Sequence, residues 1–195
     1  MITMAIDPGK QVTITFCDSK TGNLIDSYSL KMDYKMEILK RFILLKKEFT
    51  SLLVSIFDKT MNVFDIDKIL IEVPYSVGNN SVAYIFNREN KNSFDIVKLM
   101  SSIFAIYDSI ASFSLLKDVN LITVPATYWL NSKETFEYKK QCCFDLIDFD
   151  KWKISKNNDH ILDMTLLSYR FNNNYTLQHR VNCFMTADFS NKKKK

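Results

Sequence analysis

The chain has 195 residues, 47% of them apolar, with only three glycines and three prolines: enough apolar material for one sizeable core, and no glycine- or proline-rich linker to divide it. Its net charge of +4 comes from the terminal run Lys192 to Lys195, without which 22 basic residues face 22 acidic ones, so bulk charge does not mark a nucleic-acid binder. Four cysteines with no Cys-x-x-Cys pair and two histidines argue against a zinc module, and three glycines against the paired phosphate loops of an actin-like phosphotransfer protein, so no nucleotide cofactor is expected.

Along the chain, Ile2 to Ile6 is a short apolar run closed by Asp7-Pro8-Gly9. Val12, Ile14 and Phe16 then alternate with Thr13, Thr15 and Cys17, which reads as a hairpin. Gly22-Asn23 makes a second turn before an apolar stretch over 24–30, so three antiparallel strands open the chain. Met36, Leu39, Ile43, Phe49, Leu53 and Ile56 follow at roughly helical spacing and predict a long helix across the sheet. A buried strand over 68–73 is stopped by Pro74, and Ser93 can cap a helix running to about Leu116. A second buried strand over 119–124 is stopped by Pro125, and helical patterns occupy about 133–147 and 158–171. Lys46, Lys47, Glu48 and Asp108 interrupt the two most apolar regions, and Asp7 comes before any signal-peptide core, so a soluble protein of a reducing compartment with no membrane span is expected. The layout is α/β: three antiparallel strands, then alternating helix and strand, in a mixed five-stranded sheet flanked by helices.

Carboxylates at the ends of apolar strands carry the chemical signal. Asp7 follows Met-Ala-Ile and Glu72 follows Ile-Leu-Ile, and an acid projecting from such a strand needs a partner because an unpaired buried charge is costly. A salt bridge or a turn-capping role would also place an Asp at position 7. In Asn158-Asp159-His160-Ile161-Leu162-Asp163, His160 and Asp163 are three apart and Asp159 and Asp163 four apart, so either pair shares a helical face. Asp159 can equally cap that helix. Two divalent ions about 4 Å apart require several oxygen ligands from separate parts of a chain, which Asp7, Glu72 and Asp163 would suit.

These residues resemble the RuvC family of Holliday junction resolvases, within the ribonuclease H-like superfamily. The matches are Ala5-Ile6-Asp7-Pro8-Gly9, Leu70-Ile71-Glu72-Val73-Pro74-Tyr75, Val124-Pro125-Ala126-Thr127-Tyr128-Trp129 and Asp159-His160-Ile161-Leu162-Asp163, in the family's order over most of residues 1–171. The resemblance implies a ribonuclease H-like fold and a metal-dependent endonuclease that nicks branched DNA such as four-way junctions by a two-metal-ion hydrolysis using Mg²⁺, with Mn²⁺ able to substitute. It assigns Asp7, Glu72 and Asp163 as metal-binding acids. His160 falls at the fourth catalytic site, as a metal ligand or a group that positions the attacking water, a role Asp159 could fill instead. Tyr75 matches an aromatic that stacks on unpaired bases, and Lys133, Lys139 and Lys140 fall where the family has basic residues facing DNA phosphates, although without the resemblance they read as a solvated helix face. It further implies a homodimer formed largely through the helix over 93–116, whose Ile103, Phe104, Ile106, Tyr107, Ile110 and Phe113 make a stripe wide enough to face both a core and a partner.

The long helices after Asp33 and Ser93, and a segment after Phe171 with no counterpart, fit a divergent phage or viral member acting in the host-cell cytoplasm or a virus factory. Residues 1–172 are expected to form the nuclease domain and 173–195 an extension ending in a partly disordered basic tail. Two other readings use the same residues: a nuclease of this fold acting on structured RNA or flaps, and a catalytically inactive nucleic-acid-binding module whose acids are structural.

Overall fold

The computed structural model describes residues 1–33, 35–59, 65–73, 93–131, 133–156 and 159–185. Among them, β1 (Ile2–Asp7), β2 (Gln11–Asp18), β3 (Leu24–Lys31), β4 (Ile66–Val73) and β5 (Asn120–Pro125) form one sheet in the order β3-β2-β1-β4-β5. The first three strands are antiparallel, while β4 pairs parallel with both β1 and β5. This is the mixed sheet expected from the order of strands and turns, with β4 beginning two residues earlier than Lys68.

Helix α1 (Ile38–Lys59) and helix α2 (Ser93–Ser112) pack together on one face of the sheet. Because partners across a ladder share a face, Met4 lies with Phe16, and Ile6 with Ile14 and Ile71. These meet Leu45, Phe49, Leu53 and Ile56 of α1 and Ala105, Ile106 and Ile110 of α2 in one hydrophobic cluster. Each such aliphatic side chain contributes about 1.5–3 kcal/mol when taken from water. The buried stripe of α1 differs from the expected one: Leu39 and Ile43 are exposed, and Arg41, fully buried, is in phase with Leu45, Phe49 and Leu53. Charge had excluded Arg41 from the apolar pattern, which shifted the predicted face.

The opposite face holds the other parity. Thr3 pairs with Cys17, Ala5 with Thr15 and Leu70, and Asp7 with Thr13. Apart from Leu70 these residues are small or polar, and all but Asp7 are buried. Above them lies α6 (His160–Asn173), itself carrying buried Thr165 and Ser168. Burial pushes the Cys17 thiol up to about 11, against the pull of the neighbouring Ser168, Thr15 and Thr165 hydroxyls. The hairpin between β2 and β3 is keyed to the same helix: Gly22 has φ +82°, and a Cβ there would stand 2.6 Å from the Tyr169 ring.

Three short helices connect β5 to α6, namely α3 (Ala126–Trp129), α4 (Phe136–Cys142) and α5 (Phe149–Trp152). The helical pattern expected over 133–147 therefore shrinks to one Thr135-capped segment that ends in a turn at Cys143. After α6 the chain forms α7 (Tyr175–Met185), whose Leu177 and Val181 are buried with Ile122, Val124, Trp129 and Phe171. The first part of the expected extension is thus packed on the core, while the terminal lysines lie outside the described residues. No described helix is long and apolar enough to cross a membrane.

Candidate active site

The site forms where β1 and β4 end beneath the first turn of α6. Ile6 aligns with Ile71 across the parallel ladder, so the next residues, Asp7 and Glu72, stand side by side. Alternation turns both toward the face covered by α6, since Ala5 and Leu70 belong to that face's core. The chain reverses after Asp7 through Pro8-Gly9, where the Gly9 N–H donates to Asp7 Oδ1 at 2.8 Å. A Cβ on Gly9 would come within 2.9 Å of that oxygen, so a side chain here would push the Asp7 carboxylate aside.

The second Asp7 oxygen, Oδ2, lies 2.6 Å from His160 Nδ1 at the first residue of α6. That bond raises the His160 pKa, with burial opposing it. One turn along, Asp163 is held by the Asp163 N–H to Asp159 O bond of 3.0 Å. Its Oδ1 lies 2.6 Å from Lys139 Nζ, an ion contact with no other hydrogen-bond partner for that oxygen among the described residues. Burial raises the Asp163 pKa, and Lys139 only partly offsets it. Asp159, which could have capped α6, makes no side-chain cap hydrogen bond and instead lies 3.8 Å from Lys139 Nζ.

Glu72 completes the cluster. Burial, followed by the nearby charges of Asp7 and Asp163, pushes its carboxyl up to about 8, while His160 and Lys139 pull it down. Three carboxylates from β1, β4 and α6 thus share one partly buried place. Their negative charge is balanced there by one lysine and, when protonated, one histidine.

This donor set matches a hard divalent cation in its chemistry: several carboxylate oxygens from separate elements, one imidazole, and a Glu72 carboxyl that burial and neighbouring anions push up to about 8 and that added positive charge would bring down. Among the described residues, no three His, Cys, Asp or Glu side chains stand in a ready-made metal shell. Two of the carboxylates are instead engaged by His160 and Lys139.

Asp7, Glu72, His160 and Asp163 therefore come together, with Asp159 at the margin. Lys139, expected on a DNA-facing surface with Lys133 and Lys140, is buried and turned inward to the acids, whereas Lys133 and Lys140 are exposed. Lys140 lies 5.3 Å from the centre of the Phe149 ring. Tyr75 lies outside the described residues. Sequence reasoning missed two groups: the inward role of Lys139, and Arg41, which donates to the Gly9 carbonyl at 3.2 Å. The signal for Arg41 was its place four residues before Leu45 and eight before Phe49, on one helical face.

No protein-family model matches the chain, and no curated protein matches it in sequence. Solved structures do match its fold. Thermus thermophilus RuvC has a TM-score of 0.52 at 14% identity, over 95% of this chain and 96% of that one. The T. thermophilus RuvC in complex with a Holliday junction substrate has a TM-score of 0.51 at 13% identity, with the same coverage. The fold is RuvC-like, within the ribonuclease H-like class.

Proposed function

We propose that the chain is a divalent-metal-dependent endonuclease that nicks branched DNA, with four-way junctions as its preferred substrate. The observation that carries this reading is the convergence of Asp7, Glu72, Asp163 and His160 at the strand ends, in a fold shared with a RuvC solved on a Holliday junction. Asp7, Glu72 and Asp163 would hold Mg²⁺ or Mn²⁺, two ions per site, with His160 as the fourth group and Asp159 the alternative. When bound, such ions supply an acidified water and positive charge at the scissile phosphate.

The chain's own residues do the rest. The Gly9 N–H and His160 fix both oxygens of Asp7, which limits the reorganisation needed when substrate arrives. Lys139 is a tethered counter-cation for Asp163 and Asp159. Lys133 and Lys140, being exposed, are available to DNA phosphates, and Tyr75 is assigned to stacking on unpaired bases. Exposed Leu39, Ile43, Phe104 and Tyr107 lie on α1 and α2, beside a groove lined by Ile38, Leu39, Phe42 and Phe104. An apolar face of this kind suits a second copy of the chain, giving a homodimer with one site for each of two opposed strands.

The test is incubation of the purified chain with labelled four-way DNA, forked DNA and RNA hairpins at matched ionic strength, with and without Mg²⁺. Metal-dependent nicking of the junction is expected, and Asp7→Asn should retain junction binding while cleavage falls by orders of magnitude. Preferred cleavage of the fork or the RNA would redirect the substrate. A chain that cleaves none of them and binds equally well as Glu72→Gln would be a binding module.

A further inference from the structure

We propose that Arg41 is a positioning residue that sets the β1–β2 turn, and through Gly9 the Asp7 carboxylate. Its side chain is fully buried on the core-facing stripe of α1, where the spacing of Leu45, Phe49 and Leu53 calls for an apolar residue. A buried guanidinium is expensive to desolvate, so it is kept only where specific acceptors hold it. Filling the core therefore does not account for an arginine here.

Its donors do. Nη2 donates to the Gly9 carbonyl at 3.2 Å, Nη1 to the Asp33 carbonyl at 3.5 Å, and Nε to Ser102 Oγ at 3.2 Å. One side chain on α1 thereby ties together the β1–β2 turn, the start of the connection leaving β3, and α2. Gly9 is the link that matters for chemistry: its carbonyl is held by Arg41, while its N–H holds Asp7 Oδ1 at 2.8 Å. With the carbonyl fixed, the plane of the peptide after Gly9 is fixed, and the turn that aims the Gly9 N–H at Asp7 has less freedom. The planar fork of arginine can serve carbonyls from different segments at once; a lysine ammonium lacks that fixed spread.

The Mn²⁺ and kinetic arms of the test rest on the nuclease reading; the Gly9 exchange arm does not. Arg41→Met, unbranched and without charge, should fold with a melting temperature somewhat below that of the parent, because the Gly9 and Asp33 carbonyls and the Ser102 hydroxyl lose their donor. In it the Gly9 amide should exchange with solvent several-fold faster, Mn²⁺ measured on the protein alone should bind about 10–100-fold more weakly, and the junction-cleavage kcat should fall by a similar factor with KM unchanged. Arg41→Lys, keeping the charge, should fall between the two. Unchanged Gly9 exchange in a folded Arg41→Met would overturn the proposal, whatever the cleavage result. Should Arg41→Met not fold, the same exchange measurement on Arg41→Lys decides: parent-like protection of Gly9 overturns it. Loss of cleavage in the parent with faster Gly9 exchange in the variant would sink the nuclease reading and leave the positioning role intact.

Discussion

The two faces of the sheet are built from alternate residues of the same strands, yet they do different work. Toward α1 and α2 the strands present Met4, Ile6, Val12, Ile14, Phe16, Ile69 and Ile71, which interdigitate with large aliphatic and aromatic side chains. Toward α6 they present Thr3, Ala5, Thr13, Thr15 and Cys17, most of them short, and α6 answers with Thr165 and Ser168. Short side chains on both partners let α6 sit close to β1 and β2, and close approach brings His160 to 2.6 Å from Asp7. The first face supplies stability, and the second sets the geometry of the acids.

The largest break in this contrast should come from the apolar face. Phe16→Ala removes a fully buried ring and should cost about 3–5 kcal/mol in urea denaturation, because the surrounding aliphatic residues cannot close the cavity. An effect well under 1 kcal/mol would mean that this face is not where the stability lies.

Next in size is the pH response of the acid cluster. Glu72 has its folded pKa raised to about 8 from 4.5, so the metal-free fold binds that proton more tightly than the unfolded chain does. Its contribution is fully present below about 4.5 and is lost as pH rises through about 8, and the raised His160 pKa acts in the same direction from its ordinary value near 6.5 upward. Melting temperature without metal should therefore decline between neutral pH and pH 9, and Glu72→Gln should flatten the slope. Mn²⁺ should restore stability most at the alkaline end, where Glu72 is ionised. A metal-free melting temperature that rises over this interval would contradict the crowding of the carboxylates.

Lys139→Met tests the counter-cation. The lysine side chain is only 10% exposed, so its removal leaves Asp163 without its ion partner in a poorly hydrated place. Metal-free stability should fall by about 1.5–3 kcal/mol, and added Mn²⁺ should raise the melting temperature further than in the parent. An equal metal-induced rise in both proteins would show that Lys139 does not stand in for cationic charge at the acids.

Much of the apolar face was legible because its strands are punctuated by Pro8, Gly9, Pro74 and Pro125 and read as uninterrupted or alternating apolar runs. Asp7 and Glu72 were found as acids ending such strands, and the ladder register then placed them together. The second face was harder to read. Thr13, Thr15 and Cys17 look like a solvated strand surface, and only the docking of α6, more than 140 residues away in the chain, buries them. Lys139 was misjudged for the same reason: a lysine on a short helix defaults to solvent unless the carboxylates that draw it inward, contributed by a later helix, are known to be adjacent. Arg41 was passed over because a helical stripe was traced through apolar residues alone.

The smallest expected change in stability is also the sharpest test of the close second face. Ser168 is buried within α6, and Ser168→Leu adds volume where the structure has little room. Since α6 can ride outward to relieve the clash, the loss in stability should lie near the lower edge for overpacking, about 1 kcal/mol. The same outward movement should separate His160 from Asp7, and a displacement of about 1 Å at a reacting centre can cost about 100-fold in rate. Junction cleavage should therefore fall far more than the stability does, and the raised His160 pKa, followed by NMR in the metal-free protein, should move back toward its ordinary value as the Asp7 hydrogen bond lengthens. Ser168→Ala, which leaves the spacing intact, should change neither. A Ser168→Leu protein that loses stability while His160 titrates as in the parent would show that the helix is held at the acids by its first turn alone, and not by the small residues along its length.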